Sequence, residues 1–125
     1  MKRRLAILAM AVLLLEPVAA WAHAKLVKSD PARRAVLKQS PAQVRLWFNE
    51  KLEPSFSILK VLDAAGKPVT DRSANVSGGD QKLLELDLPD LPEGTYTVSY
   101  EVLSVDGHAV KSGYTFTVRG KSGDQ

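Results

Sequence analysis

The first eight residues of "TYTVSYEVLS" alternate without a break. Tyr96, Val98, Tyr100 and Val102 fall on one side, and Thr95, Thr97, Ser99 and Glu101 fall on the other. Successive side chains of an extended strand point to opposite faces, so this pattern suits a strand with one buried and one wet face. A helical period of 3.6 would scatter the same apolar residues around its circumference. "QVRLWFNE" repeats the alternation with Val44, Leu46 and Phe48 against Arg45, Trp47 and Asn49. "KLLELDL" does so with Leu84, Leu86 and Leu88 against Glu85 and Asp87, and "SGYTFTV" with Tyr114, Phe116 and Val118 on one side. "FSILKVLD" predicts one more strand from Phe56 to Asp63, ending at a turn through Gly66 and Pro68. Short alternating runs punctuated by Gly, Pro and Asp predict an all-β chain folded as a β-sandwich.

The stretches "DPARRAVLKQSPAQ" and the one running into "SGGD" (Ser77 to Asp80) read as surface loops, and the tail "RGKSGDQ" as a polar end that frays. In "LPEGTYTV", Tyr96 follows a Pro/Gly turn at a strand start. That is the place of a tyrosine corner, whose hydroxyl bonds the backbone of the preceding turn; a ring that simply packs fits the position equally.

Ahead of this region stands a different kind of segment. Lys2, Arg3 and Arg4 open the chain, Leu5 to Leu15 is wholly apolar, Glu16 and Pro17 interrupt it, and Ala20-Trp21-Ala22 closes it. Cationic start, apolar run, breaker and small–x–small triplet make a secretory signal peptide over residues 1–22. The apolar run is shorter than the roughly 20 residues that a membrane-spanning helix needs. Val18-Ala19-Ala20 offers a rival cut, but Ala22 lies farther past the apolar run and leaves His23 as the first residue. Cleavage there leaves residues 23–125 as one domain. The leader takes three of the 17 Lys and Arg and one of the 14 Asp and Glu, so the mature chain keeps 14 and 13. That near-balance offers nothing to attract a nucleic acid. Cysteine is absent, so packing alone must hold the fold and thiolate chemistry is excluded.

The inventory of reactive residues is thin. There is no nucleophile elbow, no phosphate-cradling glycine loop and no paired-acid pattern. Two histidines remain. His108 lies in "SVDGHAV", where Asp106-Gly107 is a hairpin-turn signal and His108 its neighbour. In extended backbone the same Asp-x-His triplet would instead project both side chains to one side. His23, once it is the first residue, carries an α-amine and an imidazole Nδ1 that can close a six-membered chelate. An amine with a pKa near 8 gives up its proton readily to a strong Lewis acid. Joined by Asp106 and His108, it would make a three-nitrogen, one-oxygen set that suits planar Cu(II), with tetrahedral Zn(II) the main competitor.

"HAKLVKSDPA", "VRLWFNEKLEPSFSILKVLDAAGK" and "LPEGTYTVSYEVLSVDGHAVKSGYTFTV" together resemble the CopC family of periplasmic copper-binding proteins. The resemblance implies a Greek-key sandwich or barrel of cupredoxin-like or immunoglobulin-like form. It implies one Cu(II) per chain, held by His23 through amine and imidazole, by Asp106 and by His108. Glu50 in "FNE" matches the family's nearby acidic residue, a partner for a ligand's N–H, although a solvated strand-end carboxylate accounts for it as well. Some members add a Cu(I) site rich in methionine. Here the two methionines are Met1 and Met10, both in the leader, so no Cu(I) site is expected.

The expected protein is a periplasmic Cu(II) carrier or buffer in copper homeostasis or resistance, not an enzyme, with a membrane copper transporter of the CopD type as the partner that the resemblance implies. Two other readings differ in class. A histidine-brace monooxygenase would share the N-terminal chelate, but the extra anionic ligand Asp106 disfavours the reduced copper that must meet oxygen. A metal-free interaction module would leave the pairing of a terminal His with "DGH" unexplained.

Overall fold

The computed structural model describes residues 24–120. The leader, both candidate cleavage points, His23 and residues 121–125 lie outside the described residues. Eight strands follow in chain order: β1 (Leu26–Asp30), β2 (Val36–Leu37), β3 (Gln43–Phe48), β4 (Ile58–Leu62), β5 (Asn75–Ser77), β6 (Leu83–Asp87), β7 (Gly94–Leu103) and β8 (Ala109–Val118). They form two four-stranded sheets, β1-β3-β6-β5 and β2-β8-β7-β4. Two separate sheets make this a sandwich and not a closed barrel. β5–β6 and β7–β8 pair as neighbours in sequence, whereas the chain changes sheet at every other connection, from β1 through to β5 and again between β6 and β7. Every strand pair is antiparallel except β2–β8.

The inward faces are the ones the alternation marked. Val44, Leu46 and Phe48 of β3 and Leu84 and Leu86 of β6 meet Tyr96, Val98, Tyr100 and Val102 of β7 and Tyr114, Phe116 and Val118 of β8, all buried. Leu59 and Val61 of β4 complete the layer. Outward residues build a separate polar row. Trp47 lies under Lys28 Nζ (4.5 Å to the ring centroid), and the Arg45 guanidinium stands 5.1 Å from the same ring. Arg45 Nε donates to Glu85 at 3.0 Å, and Ser77 Oγ donates to the other oxygen of Glu85 at 2.8 Å.

Three strands arise where the sequence indicated loops or no element. β2 falls inside "DPARRAVLKQSPAQ" and β5 inside the stretch leading to "SGGD". β2 is only two residues long, and its pairing is imposed from outside: Thr117 N–H donates to Ala35 O and Arg119 N–H to Leu37 O, both at 2.8 Å. β1 contains no fully buried residue, and β5 is a three-residue edge strand, so neither carries a burial period to read. Phe56, expected in a strand, belongs to a 3-10 turn over Pro54–Phe56 and is 62% exposed. Proline suits the first position of such a turn because its fixed φ and missing N–H cost nothing there. Ser57 Oγ then donates to Glu53 O at 2.9 Å, and the strand begins one residue later.

Tyr96 is a tyrosine corner. Its hydroxyl donates to Pro92 O at 2.6 Å, and its ring stacks on Phe116 with centroids 5.6 Å apart. Burial, followed by the charge of Asp63, raises its pKa. Tyr96→Phe would leave the Pro92 carbonyl without this donor in a part-buried site. The expected loss is about 1–2 kcal/mol of unfolding free energy, read from urea denaturation. An unchanged urea midpoint would mean that water replaces the bond without cost.

Candidate metal centre

The β7–β8 ladder ends at the pair Leu103–Ala109, and five residues connect the strands. Gly107 N–H donates to Ser104 O at 2.8 Å, and Ser104 N–H donates to His108 O at 3.0 Å. The connection is therefore a tight turn from Ser104 to Gly107, with His108 directly before the returning strand. Gly107 has φ +96°, a left-handed conformation that side chains resist. Asp106 thus sits in a turn, and the extended Asp-x-His geometry does not occur. The two side chains converge all the same, because the turn folds Asp106 back over the start of β8. His108 Nδ1 lies 3.2 Å from Asp106 Oδ1. An ionised carboxylate can only accept, so Nδ1 carries the proton and the ring lone pair falls on Nε2.

Ser104 holds this arrangement from beneath. It is fully buried, its hydroxyl donates to Asp106 Oδ1, and its oxygen lies 3.3 Å from the His108 backbone N–H that donates to it. The Ser104 hydroxyl is the main reason the Asp106 carboxyl lies below its ordinary pKa; partial desolvation opposes it, and the His108 side chain and backbone add to the lowering. Depression of a carboxyl pKa favours the anion, which is the form that binds a cation. Side-chain exposures of 42% for Asp106 and 35% for His108 leave the pair within reach of an ion from solvent.

The start of the described chain comes to the same end of the sandwich. Ala24 is buried, Lys25 N–H donates to Asn49 Oδ1 at 2.6 Å, and Asn49 N–H donates to Lys25 O at 3.1 Å. Two residues on, Lys51 O accepts from Val105 N–H at 2.9 Å, inside the Ser104–Gly107 turn. Leu52 bridges to Ser104, and Glu53 N–H donates to Leu103 O at 2.8 Å. Residues 49–53 therefore touch both the arm that leads from His23 and the turn that carries Asp106 and His108. Glu50 lies within this segment and is half-buried.

Of the residues singled out in the sequence, the structure brings Asp106 and His108 together and puts Glu50 in the adjoining segment. Among the described residues no group of three or more His, Cys, Asp or Glu is placed to hold a metal. Ser104 and Asn49 were missed. Ser104 had a readable signal, since serine favours the first position of a turn that ends in glycine. Asn49 had none, because its partner is the backbone of a residue 24 positions away. A groove of about 1010 Å³ between β4, residues 68–74 and Leu86 draws none of its lining from the Asp106–His108 turn or from residues 49–53. It plays no part in this centre.

The CopC domain profile matches residues 26–119, which include Asn49, Glu50, Ser104, Asp106 and His108. The chain belongs to the CopC family. Its crystallised member from Methylosinus trichosporium OB3b superposes with a TM-score of 0.76 at 36% identity, over 82% of this chain and 100% of that one. Protein YobA of Escherichia coli K12 is 40% identical over 100 residues, 79% of this chain and 81% of YobA. Copper transport protein CutJ of Bacillus subtilis 168 is 32% identical over 103 residues, 82% of this chain but 19% of CutJ. CopC membership agrees with the β-sandwich described above and associates the chain with proteins that handle copper. Among the described residues no helix is long and apolar enough to cross a membrane.

Proposed function

We propose that the processed chain is a periplasmic carrier or buffer of Cu(II), one ion per chain, in copper homeostasis or resistance. Its ligands are the amine and imidazole of His23, with Asp106 and His108. The observation that carries the reading is the Asp106–His108 pair, buttressed by buried Ser104 at the same end of the sandwich as residues 24 and 25. Consecutive Cα atoms are about 3.8 Å apart, so His23 begins one such step from Ala24. Nitrogen and carboxylate donors without sulfur match Cu(II). Cysteine is absent and both methionines precede residue 23, so the mature chain offers no soft ligand for Cu(I).

Each residue has a separate task. Asp106 supplies a fixed negative charge whose Oδ1 the Ser104 hydroxyl holds, so ligation falls to Oδ2. With Nδ1 bonded to Asp106, Nε2 points away from that carboxylate, so the His108 ring has to turn off Asp106 for both residues to reach one ion. Glu50 acts as an outer partner to a ligand N–H. None of these roles consumes a substrate, so the protein holds and releases its cargo without turnover. The recipient is a membrane copper transporter of the CopD type. The partial match to CutJ supports this, because a copper transport protein there contains a region like this chain within a much longer sequence.

The reading is tested by purifying the secreted protein, locating the cut from its intact mass, and titrating Cu(II) while recording EPR spectra. The expected result is His23 as the first residue and a one-to-one signal with nitrogen couplings. A mature end other than His23, or no ordered Cu(II) signal, overturns it.

A further inference from the structure

We infer that Asn49 is the positioning residue of the N-terminal arm: its side chain clamps the backbone of Lys25 and so delivers the first residue to the Asp106–His108 turn. The inference rests on the Cu(II) reading above and adds a residue to it. The β1–β3 ladder ends at the pair Leu26–Phe48, and it is irregular between Leu26 and Lys28. Without a further tie, the chain before Leu26 would leave the sheet as a loose end, as chain termini commonly do.

Asn49 supplies that tie by imitating one more rung. Its backbone N–H donates to Lys25 O at 3.1 Å, as a strand residue would. Its side-chain Oδ1 then takes the Lys25 N–H at 2.6 Å, where a continuing strand would have offered a carbonyl. Asparagine is suited to this because its amide copies the peptide group on a short stem. Lys25 is thereby held at both of its backbone polar groups, two positions after the first residue of the processed chain.

The clamp also sets the distance between the two ligand arms. Asn49 grips the N-terminal arm, and Lys51, two residues later, accepts the Val105 N–H of the turn. One short segment therefore holds both halves of the proposed ligand set. Binding an ion then requires little further ordering of the arm, and the affinity gained from fixing a ligand beforehand appears directly in the dissociation constant.

A double-mutant cycle tests this. Four proteins are compared: the processed chain beginning at His23, the same chain with His23→Ala, and Asn49→Ala in each. Cu(II) affinity is read by competition with a chromophoric chelator, and the melting temperature of each metal-free protein is recorded. In the processed chain Asn49→Ala is expected to weaken Cu(II) binding roughly three- to ten-fold, the worth of one side-chain hydrogen bond. In the His23→Ala chain, which keeps the amine but has no ring to pair with it, the same change is expected to cost far less, because the clamp has no chelate to deliver. Asn49→Asp, which keeps an acceptor oxygen at the same reach, should retain the tight binding. Equal losses in both backgrounds, or no loss in the processed chain, overturn the inference while leaving the Cu(II) reading intact. If His23→Ala itself leaves affinity unchanged, the N-terminal chelate is wrong and the inference falls with it.

Discussion

His108→Ala is expected to weaken Cu(II) binding by about a hundredfold or more while leaving the metal-free fold near its original stability. Loss of an outer partner to a ligand commonly costs 10- to 100-fold in affinity, so loss of a ligand should reach at least the upper end. The fold should tolerate the change because His108 is only half-buried and its backbone, not its ring, closes the turn: His108 O accepts from Ser104 N–H and His108 N–H donates to Ser104 Oγ. Asp106 keeps its bond from the Ser104 hydroxyl and so remains an anion at the same place. One nitrogen coupling should disappear from the EPR spectrum. Glu50→Gln makes the contrast, since an outer partner should lower affinity by less than a ligand does. If His108→Ala binds Cu(II) as tightly as the parent, the turn is not part of the site.

How much of this was legible in the sequence depended on what each residue answers to. β3, β6, β7 and the end of β8 answer to burial on one face, and burial leaves a period of two in any order of neighbours. β2 answers to β8, some 80 positions later, and two residues cannot display a period. Phe56 was assigned to a strand because it is apolar and precedes Ile58; the 3-10 turn wins there because Pro54 starts it and Ser57 closes it. The site divides in the same way. Asp106 and His108 announce themselves by residue type and spacing. The turn that unites them differs from the extended geometry because Gly107 takes up the left-handed conformation, and the Asp106 side chain can then reach the His108 ring just before the returning strand. Ser104 and Asn49 act through backbone contacts, and such contacts leave little trace in composition.

Phe116→Ala is expected to destabilise the metal-free protein by about 3–5 kcal/mol, the cost of deleting a fully buried aromatic ring. Phe116 is 0% exposed and stacks on Tyr96, whose hydroxyl fixes the turn at Pro92, so the cavity opens beside a tied element that cannot easily collapse into it. A domain of this size has on the order of 5–15 kcal/mol of total stability. Without cysteine, no disulfide can offset the loss. The variant should therefore unfold at a much lower urea concentration than the parent. Copper then separates core from site. Phe116 pairs with Tyr96 far along the hairpin from Ser104, so the ligand turn should keep its affinity while the core is weakened. A ligand that binds the folded state a hundredfold above its dissociation constant adds about 2.7 kcal/mol. The unfolded chain retains the His23 chelate, and its own hold on Cu(II) will reduce that increment. Urea midpoints of parent and variant should thus rise together on adding Cu(II), by the same amount of free energy. A markedly smaller rise in Phe116→Ala would mean that the packing of the far end governs the metal turn, and that the two regions unfold as one.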